Sequence, residues 1–381
     1  MRDHLPKIII VSLLVIIVGL PVVLRPSGED ESLASAGDGD VAKLIILTPH
    51  NEQIRFEVAQ AYNQWRVDQG EEPVKFEWRS PGGTSDIRKG ILDQYRSLNN
   101  RGKPLDDGIG VDLFFGGGDY DHGKISSGIN DTEGTPLRIV DDPQIDADTF
   151  AAVFPAPRIG GERLYRRYTF VEGGQDVEVL GWTGITLSSF GIVYNRDVLE
   201  SIGADEPTTW TDLADPSYRG WIALADPGHS GSIASTFNVI LRRLGWTRGW
   251  SILRRAFANA RYFTNSSSTI PNDVARGDAA AGMCIDFYAR YQAGLIGGER
   301  MGYADPIVDG KSMTATTADP ITLLRGAPSS ELAREFIAWL LTPDAQGLWQ
   351  RSIADGAQQA GGADAPVVRP VRYELRRQPI R

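Results

Sequence analysis

The chain has 381 residues, with 39 Lys and Arg, 49 Asp and Glu and a formal net charge of −10, which is enough length for two or three domains. The 41% hydrophobic content excludes a disordered chain, and the acidic balance argues against nucleic acid as a partner because phosphate binding needs a basic surface. The single cysteine, Cys284, excludes an intramolecular disulfide framework and a cysteine-rich metal site.

An apolar block at the N-terminus determines the predicted compartment. Residues 8–24 carry no charge and follow Arg2 and Lys7. Such a run is at the short end for a membrane span, and its positive flank predicts export of everything that follows. A small-residue sequence, Ala-Ser-Ala, lies downstream, so a cleaved signal peptide and a retained anchor both remain open. We therefore predict a signal peptide or membrane anchor at 1–25 and a flexible linker at 26–42.

The exported part begins with alternating strands and helices, which is typical of a parallel sheet covered by helices. Short apolar runs predict strands at 43–47, 74–78 and 111–115. Apolar residues at helical spacing predict helices at 51–65 and 87–95. Ligands bind such sheets beyond the carboxyl ends of the strands. We therefore expect a single rim formed by the loops at 48–51, 80–84 and 116–118.

The second part of the chain resumes this alternation after an irregular region. The predicted strands are 184–194, 221–224, 280–285 and 322–324. The predicted helices are 195–199, 232–244, 249–257 and 329–341. The chain contains no G-x-S-x-G, H-E-x-x-H or phosphate-loop sequence. A metal-dependent or Ser/His hydrolase is therefore the least supported class of function.

Five segments, in the same order along the chain, resemble the type II periplasmic solute-binding proteins of ABC importers, in the group that binds iron(III), phosphonates or polyamines. The segments are 43–65, 110–118, 190–199 with 207–227, 268–292 and 318–350. The most specific is FGIVYNRDVL followed by PTTWTDLADPSYRGWIALADP. The resemblance implies an α/β fold of two lobes with a ligand cleft between them, preceded by the N-terminal hydrophobic helix. A hinge would close the lobes on the ligand.

The domain division that the resemblance implies is discontinuous. Lobe 1 would contain 43–185 and the return segment 304–345, and lobe 2 would contain 186–303. A C-terminal segment with a basic tail would follow at 346–381. The implied function is capture of a small solute, without catalysis, and its delivery to an ABC permease. We expect a monomer on the periplasmic or extracellular face of the cytoplasmic membrane.

Candidate ligand-binding residues follow the predicted strands. His50 stands directly after the first strand, where iron-binding relatives place a histidine ligand, while Asn51 either contacts ligand or caps the next helix. A Gly-Gly-Thr turn and a run of serines each precede a helix, and a helix N-terminus suits an anion. The candidates are His50, Asn51, Gly82, Gly83, Thr84, Gly117, Ser266, Ser267, Asp286 and Tyr288.

The identity of the ligand stays open between a ferric ion and a solute bearing phosphate, phosphonate or carboxylate. His50, Asp286 and Tyr288 are the candidate metal ligands; carboxylate oxygens suit hard cations, and phenolate oxygens suit iron(III) in the relatives. Iron-binding relatives have two adjacent tyrosines where this chain has Phe287 and Tyr288, so the iron set is incomplete. A ferric ion would be the transported ligand, and no resident cofactor is expected. A membrane-tethered ligand sensor of the same fold is the alternative to a transport component.

Overall fold

The computed structural model describes residues 41–159 and 162–349. Its strands are β1 (Lys43–Leu47), β2 (Lys75–Arg79), β3 (Leu113–Phe115), β4 (Ile129–Asn130), β5 (Pro136–Leu137), β6 (Arg158–Ile159), β7 (Glu162–Arg163), β8 (Tyr165–Glu172), β9 (Gln175–Asn195), β10 (Ile222–Ala225), β11 (Ala260–Thr264), β12 (Ala281–Ile285), β13 (Met301–Ala304), β14 (Ile307–Val308), β15 (Lys311–Ser312) and β16 (Thr316–Leu323). Its helices are α1 (Glu52–Asp68), α2 (Thr84–Asn100), α3 (Asp119–Ser126), α4 (Ala147–Val153), α5 (Arg196–Ile202), α6 (Gly231–Leu244), α7 (Trp246–Asn259), α8 (Ile270–Ala275), α9 (Asp286–Ile296), α10 (Ser330–Leu340) and α11 (Pro343–Leu348).

One mixed sheet organises these elements. Its strand order is β2-β1-β3-β16-β9-β12-β10-β11, and β8 and β13 also pair with β9. β1 runs parallel to β2 and β3, and β10 runs parallel to β11 and β12. β9 and β16 run antiparallel to their neighbours. We call β1, β2 and β3 the first parallel set, and β10, β11 and β12 the second parallel set.

The long strand β9 connects the two parallel sets. Its residues 183–189 pair with β16, which in turn pairs with β3 of the first set. Its residues 190–194 pair with β12 of the second set. Two antiparallel strands therefore lie between the two sets. The predicted lobe boundary at 185 and 186 falls inside β9.

Buried side chains point to both faces of the first parallel set. In β1, Leu44 and Ile46 belong to one buried cluster and Leu47 to a second. In β3, Phe115 belongs to the first cluster and Phe114 to the second. Neighbouring residues of a strand point to opposite faces, so each face of the sheet must be covered by other elements. This arrangement explains why these strands read as continuous apolar runs in the sequence.

The strands and helices predicted from the sequence are present in the predicted order, but the structure contains further elements, among them β11, β13, α3, α4 and the hairpin of β8 with β9. β9 begins at Gln175, nine residues before its predicted start, and pairs with β8 as an antiparallel hairpin. Arg166 and Arg167 are exposed on β8. Because both faces of this part of β8 carry charge, the sequence lacks the clean apolar alternation that marks a half-buried strand.

The predicted signal or anchor at 1–25, residues 26–40 of the predicted linker and residues 350–381 of the C-terminal segment lie outside the described residues. Within the described part of the chain, no helix combines the length and the apolar character that a membrane span requires.

Candidate functional site

The loops that follow β1, β2 and β3 meet on one rim, as predicted. Ser80 Oγ donates to the Thr48 carbonyl at 2.6 Å. A Cβ on Gly116 would lie 2.5 Å from His50 Nε2, and one on Gly117 would lie 2.3 Å from Cγ2 of Thr84. Both glycines have φ near +100° (91° and 110°), a region that side chains rarely adopt. Glycine at both positions therefore permits the close approach of the three loops.

A buried carboxylate orients His50. His50 Nε2 lies 2.8 Å from Asp319 Oδ2, and Asp319 Oδ1 accepts a hydrogen bond from Gly117 N at 2.7 Å. Both side chains are almost fully buried. A carboxylate accepts hydrogen bonds, so in the neutral imidazole Nε2 carries the proton and Nδ1 keeps a lone pair. Nδ1 has no hydrogen-bond partner among the described residues, so it is free to accept from a ligand or to bind a cation.

A second histidine, His122, anchors the Gly116 loop by a hydrogen bond to its backbone. Its Nε2 donates to the Gly116 carbonyl at 3.1 Å, and its Nδ1 accepts from Thr322 Oγ1 at 2.8 Å. Its ring stacks on Phe114 with the centroids 4.0 Å apart. Burial lowers the pKa of His122 to about 4, so the imidazole is neutral at pH 7. The neutral tautomer satisfies both of its neighbours.

A second rim lies at the carboxyl ends of β10 and β11. Ser230 precedes α6, and its Oγ accepts from Ile233 N, which caps the helix. Ser232 Oγ in the first turn of α6 lies 2.6 Å from Ser267 Oγ, which follows β11. Ser266 Oγ accepts from the Ser268 amide and stabilises its own turn. The second rim therefore presents hydroxyl groups at a helix N-terminus.

The two rims contact each other at the N-termini of α2 and α6. The Ser85 amide donates to the His229 carbonyl at 3.2 Å, and His229 Nδ1 lies 2.9 Å from both carboxylate oxygens of Asp86. A Cβ on Gly231 would lie 3.3 Å from Thr84 Cβ. The positive ends of two helix dipoles therefore face the same space, which favours an anion there.

A buried aspartate already occupies part of this space. Asp121 Oδ1 accepts from Arg88 Nε at 2.6 Å, and a Cβ on Gly231 would lie 2.4 Å from Asp121 Oδ2. Burial raises the pKa of Asp121, with Arg88 acting in the opposite direction. Asp121 therefore supplies an acceptor beside the helix N-terminus, while the hydroxyl and amide groups supply donors.

Asp286 and Tyr288 lie at the start of α9. Asp286 Oδ2 accepts from Ser189 Oγ at 3.1 Å, and Oδ1 accepts from the Phe287 amide at 2.8 Å. Burial raises the pKa of Asp286 to about 6. The Phe287 ring lies 4.5 Å from the Tyr288 ring and 6.4 Å from the His50 ring, measured between centroids. The start of α9 therefore approaches the first rim beside His50.

The remaining predicted residues have local roles. Asn51 Oδ1 accepts from the Ile54 amide at 3.1 Å and so caps α1. A Cβ on Gly82 would lie 2.7 Å from Asp86 Oδ2, and the backbone of Gly83 caps α2. Among the residues that the structure describes, no group of three or more His, Cys, Asp and Glu is placed to hold a metal ion.

Sequence reasoning missed four residues of the two rims. Asp121, Ser230, Ser232 and Asp319 were not among the predicted candidates. The two serines follow β10 in a Gly- and Ser-rich turn that begins a helix, which is the same signal that selected Thr84. Asp319 gave no such signal because it lies inside β16 and is 269 residues from His50 in the chain.

Comparison with known families places this fold among bacterial binding proteins. A family model described as bacterial extracellular solute-binding protein matches residues 178–369. The phosphoglycerate transport regulatory protein PgtC of Salmonella typhimurium is 26% identical over 162 residues, which are 42% of this chain. That match spans only 39% of the length of PgtC.

Solved structures show the same fold. The periplasmic binding protein AfuA from Actinobacillus pleuropneumoniae, with fructose-6-phosphate bound, has a TM-score of 0.57 and 17% identity, and the match covers 81% of each chain. Iron-bound HitA from Pseudomonas aeruginosa has a TM-score of 0.53 and 17% identity, with coverage of 80% of this chain and 83% of HitA. These similarities establish the periplasmic binding protein fold.

Proposed function

The chain belongs to the family of bacterial extracellular solute-binding proteins, and we propose that it captures a small organic phosphate ester for an ABC permease. The observation that carries this proposal is the meeting of the α2 and α6 N-termini, where Thr84 and Gly231 approach each other. Two helix dipoles whose positive ends lie close together favour a phosphate group at this point.

The mixture of donors and acceptors supports a phosphate ester over a simple anion. Ser232 and Ser267 offer hydroxyl groups, and Asp121 offers a carboxylate that accepts hydrogen bonds. A ligand with both phosphate and hydroxyl groups would satisfy both kinds of partner. The names of two relatives mention such compounds, since PgtC is a phosphoglycerate transport regulatory protein and AfuA was solved with fructose-6-phosphate.

Binding would be coupled to closure of two lobes around β9 and β16. In this proposal lobe 1 contains 43–185 and 304–345, and lobe 2 contains 186–303. The phosphate ester would contact both rims only when they meet, so it would favour the closed arrangement. Residues 8–24 would direct export, and a monomer would release the solute to the permease without chemical turnover.

A ferric ion is the competing ligand, and His50 is the residue that favours it. Its Nδ1 is buried and lacks a partner among the described residues, and Asp319 orients the ring as a carboxylate orients a metal-bound imidazole. However, Phe287 replaces the tyrosine of the iron-binding relatives, and Asp286 already accepts two hydrogen bonds. These features favour the phosphate ester.

A membrane-tethered sensor is the second candidate function. The printed name of PgtC contains the word regulatory, and the apolar block at 8–24 would serve as a tether if it is retained. The ligand and its site would be the same in both functions. Co-purification with a permease would support transport, whereas co-purification with a membrane histidine kinase would support sensing.

Calorimetric titration of the full chain in mild detergent tests the proposed ligand. The probes are 3-phosphoglycerate, fructose 6-phosphate and ferric ion. We expect a phosphate ester to bind and Ser232→Ala to weaken that binding about tenfold, the cost of roughly one hydrogen bond to a charged group. Ser251→Ala, an exposed serine on α7, should bind normally. Ferric binding without phosphate-ester binding would contradict the proposal, as would the absence of any binding.

A further inference from the structure

A cavity of about 220 Å³ lies beside the C-terminal part of α6, away from the two rims. Its lining residues are Glu162, Val239, Arg242, Arg243 and Ala315. Glu162 begins β7, and Ala315 directly precedes β16. Three separate chain segments therefore line this open cavity, in which Arg242 and Arg243 are exposed to solvent. One of the segments leads into the strand that pairs with β9.

Two arginines give the cavity a positive lining. Within 41–159 and 162–349, neither Arg242 nor Arg243 has a carboxylate oxygen within 4.0 Å, although Arg243 Nη2 donates to the Thr314 carbonyl at 3.3 Å. Among the described residues of the lining, Glu162 is the acidic one. Burial raises the pKa of Glu162 and nearby Asp119 raises it further, while Arg158, Arg242 and Arg243 act in the opposite direction.

We infer that this cavity is a second anion-binding site, which takes a small oxyanion such as inorganic phosphate between the guanidinium groups of Arg242 and Arg243. Guanidinium groups form paired hydrogen bonds with phosphate oxygens and stay charged at all physiological pH values. A water molecule occupies about 30 Å³ of liquid, so the cavity has room for a phosphate ion and several waters.

This site is separate from the proposed solute site. Ser232 and Arg243 are eleven positions apart on α6, which corresponds to roughly 17 Å at 1.5 Å per residue. A small phosphate ester cannot reach both.

Titration of the full chain with inorganic phosphate tests the second site. The test variant combines Arg242→Gln and Arg243→Gln. The matched control combines Arg254→Gln and Arg255→Gln, an exposed pair of adjacent arginines on α7 that does not line the cavity. Ser232→Ala is titrated in parallel to report phosphate binding at the rims. Circular dichroism melting checks that all variants are folded.

We expect the Arg242/Arg243 variant to bind phosphate at least tenfold more weakly at the cavity site. The Arg254/Arg255 control and Ser232→Ala should keep their phosphate affinity at this site. Retention of 3-phosphoglycerate binding in the Arg242/Arg243 variant would confirm that the two sites are separate. Unchanged phosphate binding in that variant would overturn the inference. An equal loss in the arginine control, or a complete loss of phosphate binding in Ser232→Ala, would also overturn it.

Discussion

Two fully buried side chains close to the rims have opposite effects on stability as the pH changes. The pKa of His122 falls from 6.5 to about 4, and that of Asp286 rises from 3.8 to about 6. Between pH 6.5 and 4 the unfolded chain binds a proton at His122 and the folded chain does not. This residue therefore lowers the free energy of unfolding as the pH falls. Between pH 3.8 and 6 the folded chain keeps a proton at Asp286 that the unfolded chain loses, so this residue makes stability fall as pH rises.

Replacement of Asp286 should reveal the effect of His122. Each shift corresponds to about 3 kcal/mol, so the two effects nearly cancel between pH 4 and 6 in the natural chain. When the pH is raised from 4 to 6, the free energy of unfolding should increase in Asp286→Asn. This increase should exceed the change in the natural chain by about 3 kcal/mol. Urea denaturation at several pH values measures this slope. A pH dependence equal to that of the natural chain would contradict this prediction. The exposed Asp107→Asn serves as the control.

Loss of the Asp319 carboxylate should affect both stability and binding. Asp319 holds His50 Nε2 and the Gly117 amide at once, and removal of one member of a buried polar pair leaves the other unsatisfied. We expect Asp319→Ala to lower the free energy of unfolding by about 3 kcal/mol and to weaken solute binding. Chemical denaturation and titration measure the two effects. An effect no larger than that of the exposed Asp107→Ala would contradict this role.

At the scale of elements, the N-terminal turn of α2 is the part of the first rim that touches the second. A Cβ on Gly83 would lie 2.4 Å from the His229 carbonyl oxygen and 2.8 Å from that of Asn265. Gly83 itself has φ −73° and ψ 173°, which any residue adopts. Glycine is therefore required here by the contact between the rims and not by its own backbone conformation.

Gly83→Ala should separate closure from folding. The added methyl group blocks the contact of the rims, so we expect solute affinity to fall at least tenfold, while the free energy of unfolding changes by only about 1 kcal/mol from the poorer cap. Small-angle X-ray scattering with saturating 3-phosphoglycerate should show a larger radius of gyration than in the natural chain. Gly90→Ala in the same helix has nothing within 4 Å of the new Cβ and should leave affinity unchanged. Normal affinity in Gly83→Ala would refute this account of closure.

At the scale of the whole molecule, β9 and β16 make the two parallel sets parts of one sheet. Each set ends in its own rim, and the amide of Phe190 on β9 donates to Thr314 Oγ1 just before β16. A ligand that contacts both rims would therefore act on the arrangement of both parallel sets. Its binding energy adds directly to the stability of the folded state.

Solute binding should stabilise the full chain by an amount that grows with the logarithm of the solute concentration. At 100 times the Kd, 3-phosphoglycerate should add about 2.7 kcal/mol to the free energy of unfolding. Thermal melting at increasing ligand concentration measures the effect. Glycerate lacks the phosphate group and serves as the matched ligand control. Equal stabilisation by glycerate would mean that the facing helix N-termini do not recognise phosphate.

Elements such as β1, β3 and α1 were predictable because each depends on local sequence. β1 and β3 are apolar runs of strand length, and α1 has apolar residues at helical spacing behind an Asn51 cap. The β8–β9 hairpin was less predictable, since charged residues such as Arg166 and Arg167 interrupt its pattern. The glycines and Thr84 of the first rim could be selected because turn residues at the ends of parallel strands always lie at one edge.

The amino-acid sequence by itself determined the alternation of strands and helices, the family resemblance and one of the two rims. Only the tertiary structure decided which polar groups meet. Asp319 pairs with His50 across 269 residues of chain, and Ser232 meets Ser267 across 35. The reason is physical: apolar periodicity is written in neighbouring residues, whereas a hydrogen bond between distant segments depends on how all the intervening elements pack.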